Sequence, residues 1–234
     1  MFSLIIPCYN ELENLKFHKG KFYNFVKFHK SYELIFVDNG SSDHSYNYLK
    51  DNFQHIANVK IVKIEKNLGY GNGVYKGILS SSNYYVSWIH ADLQVSFDDL
   101  INGYMLVLNQ KRNKTILVKG KRKNRSLFDS FFTFCMSFLT SSLFFKKIND
   151  INSTPNIISR KIFNNITNIP KDFNFELFCY LLAIKNSYKI IRFDVFYEDR
   201  KIGVSKWNIN ILSKFKLSYS IFKYILKIRI SGIN

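Results

Sequence analysis

The chain has 234 residues, of which 47% are hydrophobic, and its 34 Lys and Arg against 17 Asp and Glu give a formal net charge of +17. This length supports one domain with a sizeable core, or a domain plus a small appendage, and the apolar content excludes a disordered chain. Three scattered cysteines, Cys8, Cys135 and Cys179, show neither a metal-binding spacing nor a disulfide framework, which fits a reducing compartment.

Phe2-Ser3-Leu4-Ile5-Ile6-Pro7 reads as a buried first strand that stops at proline. Met1 leads straight into it without a basic n-region or cleavage site, so no signal peptide is expected. Tyr9-Asn10-Glu11 then opens a helix, with Asn10 as N-cap and Glu13 as its capping-box partner. Residues 32–38 form a second strand that runs into the turn cluster Asn39-Gly40-Ser41-Ser42-Asp43. Residues 59–64 alternate as a third strand. Asn67-Leu68-Gly69-Tyr70-Gly71-Asn72-Gly73 is a glycine-rich loop leading into a helix, and residues 84–89 are a fourth strand. Strands alternating with helices argue for a parallel sheet with crossover helices. The glycine loop follows the third strand and lacks a Gly-Lys-Ser/Thr sequence, so it is neither a dinucleotide fingerprint nor a P-loop.

Val86-Ser87-Trp88-Ile89-His90-Ala91-Asp92-Leu93-Gln94 places Asp92 and Gln94 at the C-terminal end of a buried strand. Open α/β sheets bind ligands at that edge. Oxygen ligands there suit Mg²⁺ or Mn²⁺, which in turn holds a diphosphate.

Further on, a strand is expected near residues 115–119, a helix over 128–145, a helix over 175–185 and a strand over 188–197. On the 128–145 helix, Asp129, Thr133, Ser137, Thr140 and Ser141 form one polar stripe, which argues for an amphipathic helix and against a membrane span. A domain is expected over residues 1–206, followed by a basic amphipathic tail over 207–234. In that tail Lys216, Ser220, Lys223 and Lys227 make a narrow polar stripe that calls for a membrane or a protein partner.

The positive charge is concentrated. Lys111, Arg112, Lys114, Lys119, Lys121, Arg122, Lys123 and Arg125 lie in a stretch without acids, and eight basic residues follow Asp199, the last acid of the chain. Phosphorylated substrates or an anionic membrane answer such a charge. Nucleic acid is suggested by charge alone and is not expected as a partner.

Seven segments, in order along nearly the whole chain, resemble glycosyltransferase family 2, in its dolichol- and polyprenyl-phosphate mannosyl- and glucosyltransferase-like branch. They are residues 5–11 (Ile-Ile-Pro-Cys-Tyr-Asn-Glu), 37–43 (Val-Asp-Asn-Gly-Ser-Ser-Asp), 67–71 (Asn-Leu-Gly-Tyr-Gly) and 91–94 (Ala-Asp-Leu-Gln). Residues 120–122 (Gly-Lys-Arg), 150–153 (Asp-Ile-Asn-Ser) and 199–207 (Asp-Arg-Lys-Ile-Gly-Val-Ser-Lys-Trp) complete the set. The resemblance implies a GT-A fold, a single Rossmann-like, mostly parallel sheet flanked by helices. It also implies inverting sugar transfer from a nucleotide-diphosphate sugar with Mg²⁺ or Mn²⁺. On this reading Pro7, Tyr9, Glu11, Asp38, Asn67, Gly69 and Asp92 bind the nucleotide-sugar, and Asp92 and Gln94 face the metal. Arg122, Arg200, Ser205 and Lys206 meet phosphate. Blander readings stand beside these: Tyr9 in the core, Asp38 as a helix cap, Arg122 and Lys206 as solvated surface.

One departure stands out, because His90 occupies a place where the family usually has an aspartate. A neutral His suits Mn²⁺ but fits Mg²⁺ poorly. The favoured expectation is that Asp92 and Gln94 hold the metal alone. Asp92 and Glu176 are the catalytic candidates, Glu176 as general base by family position or, on the bland reading, as an exposed helical acid; Asp150 is a similar case. A lipid phosphate acceptor needs no general base, whereas a sugar hydroxyl does. The expected activity is therefore transfer to a polyprenyl phosphate by a protein peripheral on the cytoplasmic membrane face, or held there by a separate membrane subunit. The alternatives are transfer to a saccharide hydroxyl in cell-surface polysaccharide synthesis, and an inactive nucleotide-binding scaffold subunit.

Overall fold

A computed structural model describes residues 1–110, 115–124, 126–203 and 211–232. Strands β1 (Phe2–Cys8), β2 (Glu33–Asn39), β3 (Val59–Ile64), β4 (Tyr85–Trp88), β5 (Ile116–Lys123), β6 (Asn156–Ser159) and β7 (Lys189–Phe196) form one seven-stranded sheet in the order β3-β2-β1-β4-β6-β5-β7. Only β6 is antiparallel to its neighbours. The helices are α1 (Leu12–Phe17), α2 (Lys19–Phe28), α3 (Ser45–Phe53), α4 (Tyr70–Ser80), α5 (Phe97–Leu108), α6 (Leu127–Phe144), α7 (Asn174–Lys185) and α8 (Ile211–Ser231).

Strand alternation divides the core into two layers. Phe2, Leu4, Ile6, Leu34 and Phe36 point into a cluster with Leu15, Phe22, Leu49 and Leu100 from α1, α2, α3 and α5. Ile5, Ile35, Val37 and Trp88 point into a second with Val74, Phe175, Leu181 and Ile225 from α4, α7 and α8. Burial on both faces is why β1 and β2 read as continuous apolar runs.

Pro7 lies inside β1 instead of ending it. The Ile5 carbonyl accepts from the Ile89 N–H at 3.3 Å. Pro7, two residues on, turns its missing N–H to the same side, beyond the last residue of β4, while its other side pairs with Val37. The proline therefore costs no ladder hydrogen bond. The strand expected at 115–119 extends to Lys123, and β6 had no counterpart among the expected elements. Its four residues are too few for a periodic pattern.

The C-terminal tail does not stand apart. Ile221, Ile225 and Ile228 of α8 are buried in the second core layer, and α8 packs on α6 and α7. Its lysines 216, 223 and 227 are exposed, as the polar stripe predicts. The expected boundary at 206/207 lies outside the described residues. No described helix is long and apolar enough to cross a membrane.

The α4 start is pressed against the chain before α7. Gly69 has φ +114°, and a Cβ on Gly71 would collide with the Pro170 carbonyl and, at 2.7 Å, with the Phe175 Cβ. Gly71→Ala is expected to cost about 1–3 kcal/mol. At this chain length that lowers Tm by roughly 2–4 °C per kcal/mol, which thermal denaturation measures.

Candidate functional site

The C-terminal ends of β1, β2, β4 and β7 lie at one edge of the sheet, because these strands are mutually parallel. The loops that follow them carry most of the motif residues. After β1, the chain turns at Asn10, φ 54°, and enters α1 without the expected capping box. The cap comes instead from the loop after β2. The Asn10, Glu11 and Leu12 N–H groups donate to Ser41 Oγ (3.0 Å), Ser45 Oγ (3.1 Å) and Asp43 Oδ2 (3.0 Å). Asn10 Oδ1 accepts in return from the Ser42 N–H at 2.8 Å, while Glu13 pairs on the surface with Lys16. Burial pushes the Asp43 carboxyl up, but its hydrogen bonds outweigh that and hold it below the ordinary value. The two motifs thus form one interlocked unit that reading along the chain could not join.

That arrangement leaves the Glu11 side chain available to Arg200. The guanidinium bridges Glu11 (Nη2 to Oε2, 3.1 Å) and Asp92 (Nη1 to Oδ2, 3.5 Å), and its Nε donates to the Ile202 carbonyl at 2.9 Å. Three expected site residues, 189 positions apart in sequence at the extremes, are therefore in contact. Tyr9 is 39% exposed at this edge, which rules out the core reading. Asp38 is buried, its carboxyl raised by desolvation, with Oδ1 lacking a partner among the described residues. A buried acceptor in that state suits a ligand N–H. Ser41, through its backbone N–H and its hydroxyl, bonds the same carboxyl and partly opposes the effect of burial, so Asp38 also holds the turn after β2.

The turn after β4 closes through the Leu93 N–H to the His90 carbonyl (3.2 Å), with Leu93 at φ 46°. Asp92 is nearly buried, and its Oδ1 accepts from the Gln94 N–H at 3.3 Å. The Gln94 side-chain amide donates to the Glu198 carbonyl (3.0 Å), so its nitrogen ties the turn to the segment after β7. His90 stacks on Tyr70 (centroids 5.1 Å, 27°), and Tyr70 stacks on Phe173 (4.7 Å, 6°). This three-ring stack was not anticipated, since the rings come from three separate stretches of the chain.

Glu176 departs from expectation most clearly. It is 2% exposed, which excludes the exposed acid. Its Oε1 accepts from Trp88 Nε1 (2.7 Å) and the Tyr70 hydroxyl (2.8 Å), its Oε2 from Asn156 Nδ2 (2.7 Å), and Lys119 Nζ lies 3.6 Å from Oε2. A carboxylate so engaged is placed as an internal strut, and this environment does not support the general-base assignment. Lys119, fully buried, is lowered to about 8 by desolvation, with Glu176 opposing.

Asn67 and Gly69 shape the glycine loop. Asn67 Oδ1 accepts from the Gly69 N–H (2.7 Å), and Asn39 Nδ2 donates to the Gly69 carbonyl (2.9 Å). Their contacts fix the loop onto the end of β2.

The basic stretch is less available than its charge suggests. Arg122 is held by Asp150: its Nε donates to Asp150 Oδ1 (2.9 Å) and its backbone N–H to Oδ2 (2.9 Å), so meeting phosphate would require giving up that pair. Burial raises the Asp150 carboxyl, but Arg122 outweighs it and holds it below its ordinary value. Arg192, which sequence reading passed over, adds a second cation 4.0 Å from Asp150. Asp150 is therefore ion-paired and not placed as a base. Lys119 is in the core, Lys123 pairs with Asp194 (3.3 Å), and Lys121 is exposed. Lys111, Arg112, Lys114, Arg125, Ser205 and Lys206 lie outside the described residues.

For a divalent cation the donor set is sparse. No group of three or more His, Cys, Asp and Glu converges among the described residues. One inward carboxylate, Asp92, with the Gln94 side chain nearby, does not make an all-protein cage. It does fit a hard cation that takes its remaining ligands from water and a diphosphate.

Residues 3–167 match the family model described as glycosyl transferase family 2. The chain belongs to glycosyltransferase family 2. CsbB of Bacillus subtilis (strain 168), which carries a glycosyltransferase name, is 28% identical over 231 residues, covering 92% of this chain and 64% of the relative. A dolichyl-phosphate beta-glucosyltransferase of Dictyostelium discoideum is 30% identical over 153 residues, covering 61% of this chain and 46% of the relative. The chain thus spans about half to two thirds of the length of these relatives. Glucosyl-3-phosphoglycerate synthase of Mycobacterium tuberculosis, solved with UDP, superposes with a TM-score of 0.73 at 15% identity, over 100% of this chain and 81% of that one. A structure of the same synthase with Mn²⁺, UDP and glucosyl-3-phosphoglycerate gives 0.69 at 16% identity, over 98% and 79%. The fold is GT-A, as the resemblance implied.

Asp43→Ala removes the shared cap of this family-2 site and is expected to cost about 1–2 kcal/mol near neutral pH. The folded Asp43 value is depressed, so its contribution is full above the ordinary 3.8 and is lost as the pH falls through the lower folded value. Urea unfolding of variant and parent through the acid range should show the two stabilities converging.

Proposed function

We propose that this chain transfers a sugar from a nucleotide-diphosphate sugar to a polyprenyl phosphate, with inversion, at an anionic membrane face on the cytoplasmic side. The state of Glu176 is the observation that carries the acceptor class. The carboxylate at the position expected of a general base is buried and hydrogen-bonded on both oxygens. An acceptor hydroxyl would need such a base, whereas a phosphate is already an anion and needs only positioning. The dolichyl-phosphate beta-glucosyltransferase relative points the same way.

On this reading Asp38 meets the base and Tyr9 covers a ring face. Arg200, now spread between Glu11 and Asp92, turns to the diphosphate, for which its fork of donors is suited. Mg²⁺ or Mn²⁺, when bound, would offset charge on the departing diphosphate. Asp92 would hold it, with Gln94 beside it.

The outer face of α6 supports the membrane location. The polar stripe faces inward: Ser137 Oγ accepts from the Asp150 N–H and Ser141 Oγ from the Ile148 N–H, both at 3.0 Å. Phe131, Phe134 and Phe138 are more than 60% exposed. Lys121 before the helix and Lys146 and Lys147 after it are exposed as well. Aromatic rings flanked by lysines match an anionic bilayer surface.

UDP with Mn²⁺ is expected to raise Tm of the parent and not of Asp92→Ala; saturation at about 100 times Kd corresponds to roughly 2.7 kcal/mol. With UDP-glucose as donor, sugar is expected on a short-chain polyprenyl phosphate and not on an oligosaccharide; the reverse preference would refute the acceptor reading. Replacing Phe131, Phe134 and Phe138 together by Ser is expected to abolish flotation with phosphatidylglycerol-containing vesicles without lowering Tm. Unchanged flotation would remove α6 as the membrane face.

A further inference from the structure

We propose that Glu176 is a positioning residue, which fixes the His90–Asp92 turn through Trp88 and Tyr70 and so sets where Asp92 stands. The inference rests on the reading of Asp92 as a donor-binding group. Its basis is that one carboxylate oxygen, Glu176 Oε1, receives both the Trp88 indole N–H and the Tyr70 hydroxyl. These two residues are the two supports of His90. Trp88, the last residue of β4, precedes His90 by two positions and determines where the turn leaves the sheet. Tyr70, the first residue of α4, meets the His90 ring face to face and is itself backed by Phe173. A turn held by its covalent stem and by a stacked ring cannot swivel about the strand axis. Both holds lead to the same oxygen.

The carboxylate in turn is prevented from rotating. Asn156 Nδ2 binds Oε2, and Lys119 stands on that side, itself fixed by the Ser153 carbonyl and Asn156 Oδ1, each at 2.7 Å. Asp92 follows His90 by two residues within the turn that the Leu93 N–H closes. A shift of the imidazole is therefore passed to the carboxylate that faces Arg200. Outer groups that orient a ligand in this way are worth about 10–100-fold in affinity or activity.

The test compares Tyr70→Leu, which loses ring and hydroxyl, Tyr70→Phe, which keeps the ring, and Glu176→Gln. The backbone amide resonances of residues 90–94 are followed in the ligand-free protein, and UDP affinity is measured with Mn²⁺ present. Tyr70→Leu and Glu176→Gln are expected to move the turn resonances and to weaken UDP binding by about tenfold. Tyr70→Phe keeps the stack but cuts its tie to Glu176, and is expected to move the same resonances and weaken UDP binding by a smaller factor, because the Trp88 tie remains. Unmoved turn resonances in Glu176→Gln would overturn the proposal. So would a Glu176→Gln protein that binds UDP like the parent yet transfers no sugar, which is the behaviour of a general base. If Glu176→Gln does not fold, Tyr70→Phe decides, because it cuts one tie to Glu176 and leaves the stack: turn resonances and UDP affinity like the parent's would overturn the proposal. If the parent binds no UDP, the donor reading of the site fails, and the turn resonances still decide whether Glu176 positions the turn.

Discussion

A buried carboxylate has to be neutralised, paired or fully hydrogen-bonded, and much of this fold is arranged around that demand at Glu176. Its partners come from β4, α4, β5 and β6, so four elements are pinned to α7 at one point. Removing one member of such a buried pair typically costs about 3–5 kcal/mol, because the other charge stays behind unpaired. The cluster sits directly under the turn that carries Asp92, where rigidity has a use.

Above this strut the site is assembled from loops that are weakly structured alone and stiff together. The segment after β1 has no cap of its own and takes one from the segment after β2. Arg200 then ties the first of these loops to the turn after β4. Both ties are polar, short and close to the surface. On the proposed function, they suit a site that exchanges its own ion pairs for contacts with a charged donor.

The two ends of the chain's charge have different fates. Within β5, Lys119 and Arg122 are spent internally on Glu176 and Asp150, and Lys123 pairs at the surface with Asp194. The lysines beside α6 and on α8 remain exposed. An aromatic surface between exposed lysines is unusual for a helix that also has a polar face available. Here that polar face is consumed by the hydrogen-bonding needs of the 148–150 segment, leaving the phenylalanines outside.

The sequence by itself determined the alternation of strands and helices, the family and the edge of the sheet where the site lies. These follow from local apolar runs and from short motifs whose backbone demands are local. The glycine loop and the turn at residues 90–94 belong to this group. What only the tertiary structure decided is which polar groups meet. Asn10 with Glu13 is a valid capping box in isolation, but Ser41, Asp43 and Ser45 arrive from another strand and take its place. Arg122 reads as an unpaired cation, and only the fold puts Asp150 beside it. The stripe on α6 was correctly identified, but its direction was not legible, because periodicity fixes which residues share a face and not which face the core needs. Glu176 is the extreme case. No local pattern marks a lone acid in a helix as buried, since burial depends on a Trp, a Tyr, an Asn and a Lys drawn from across the chain.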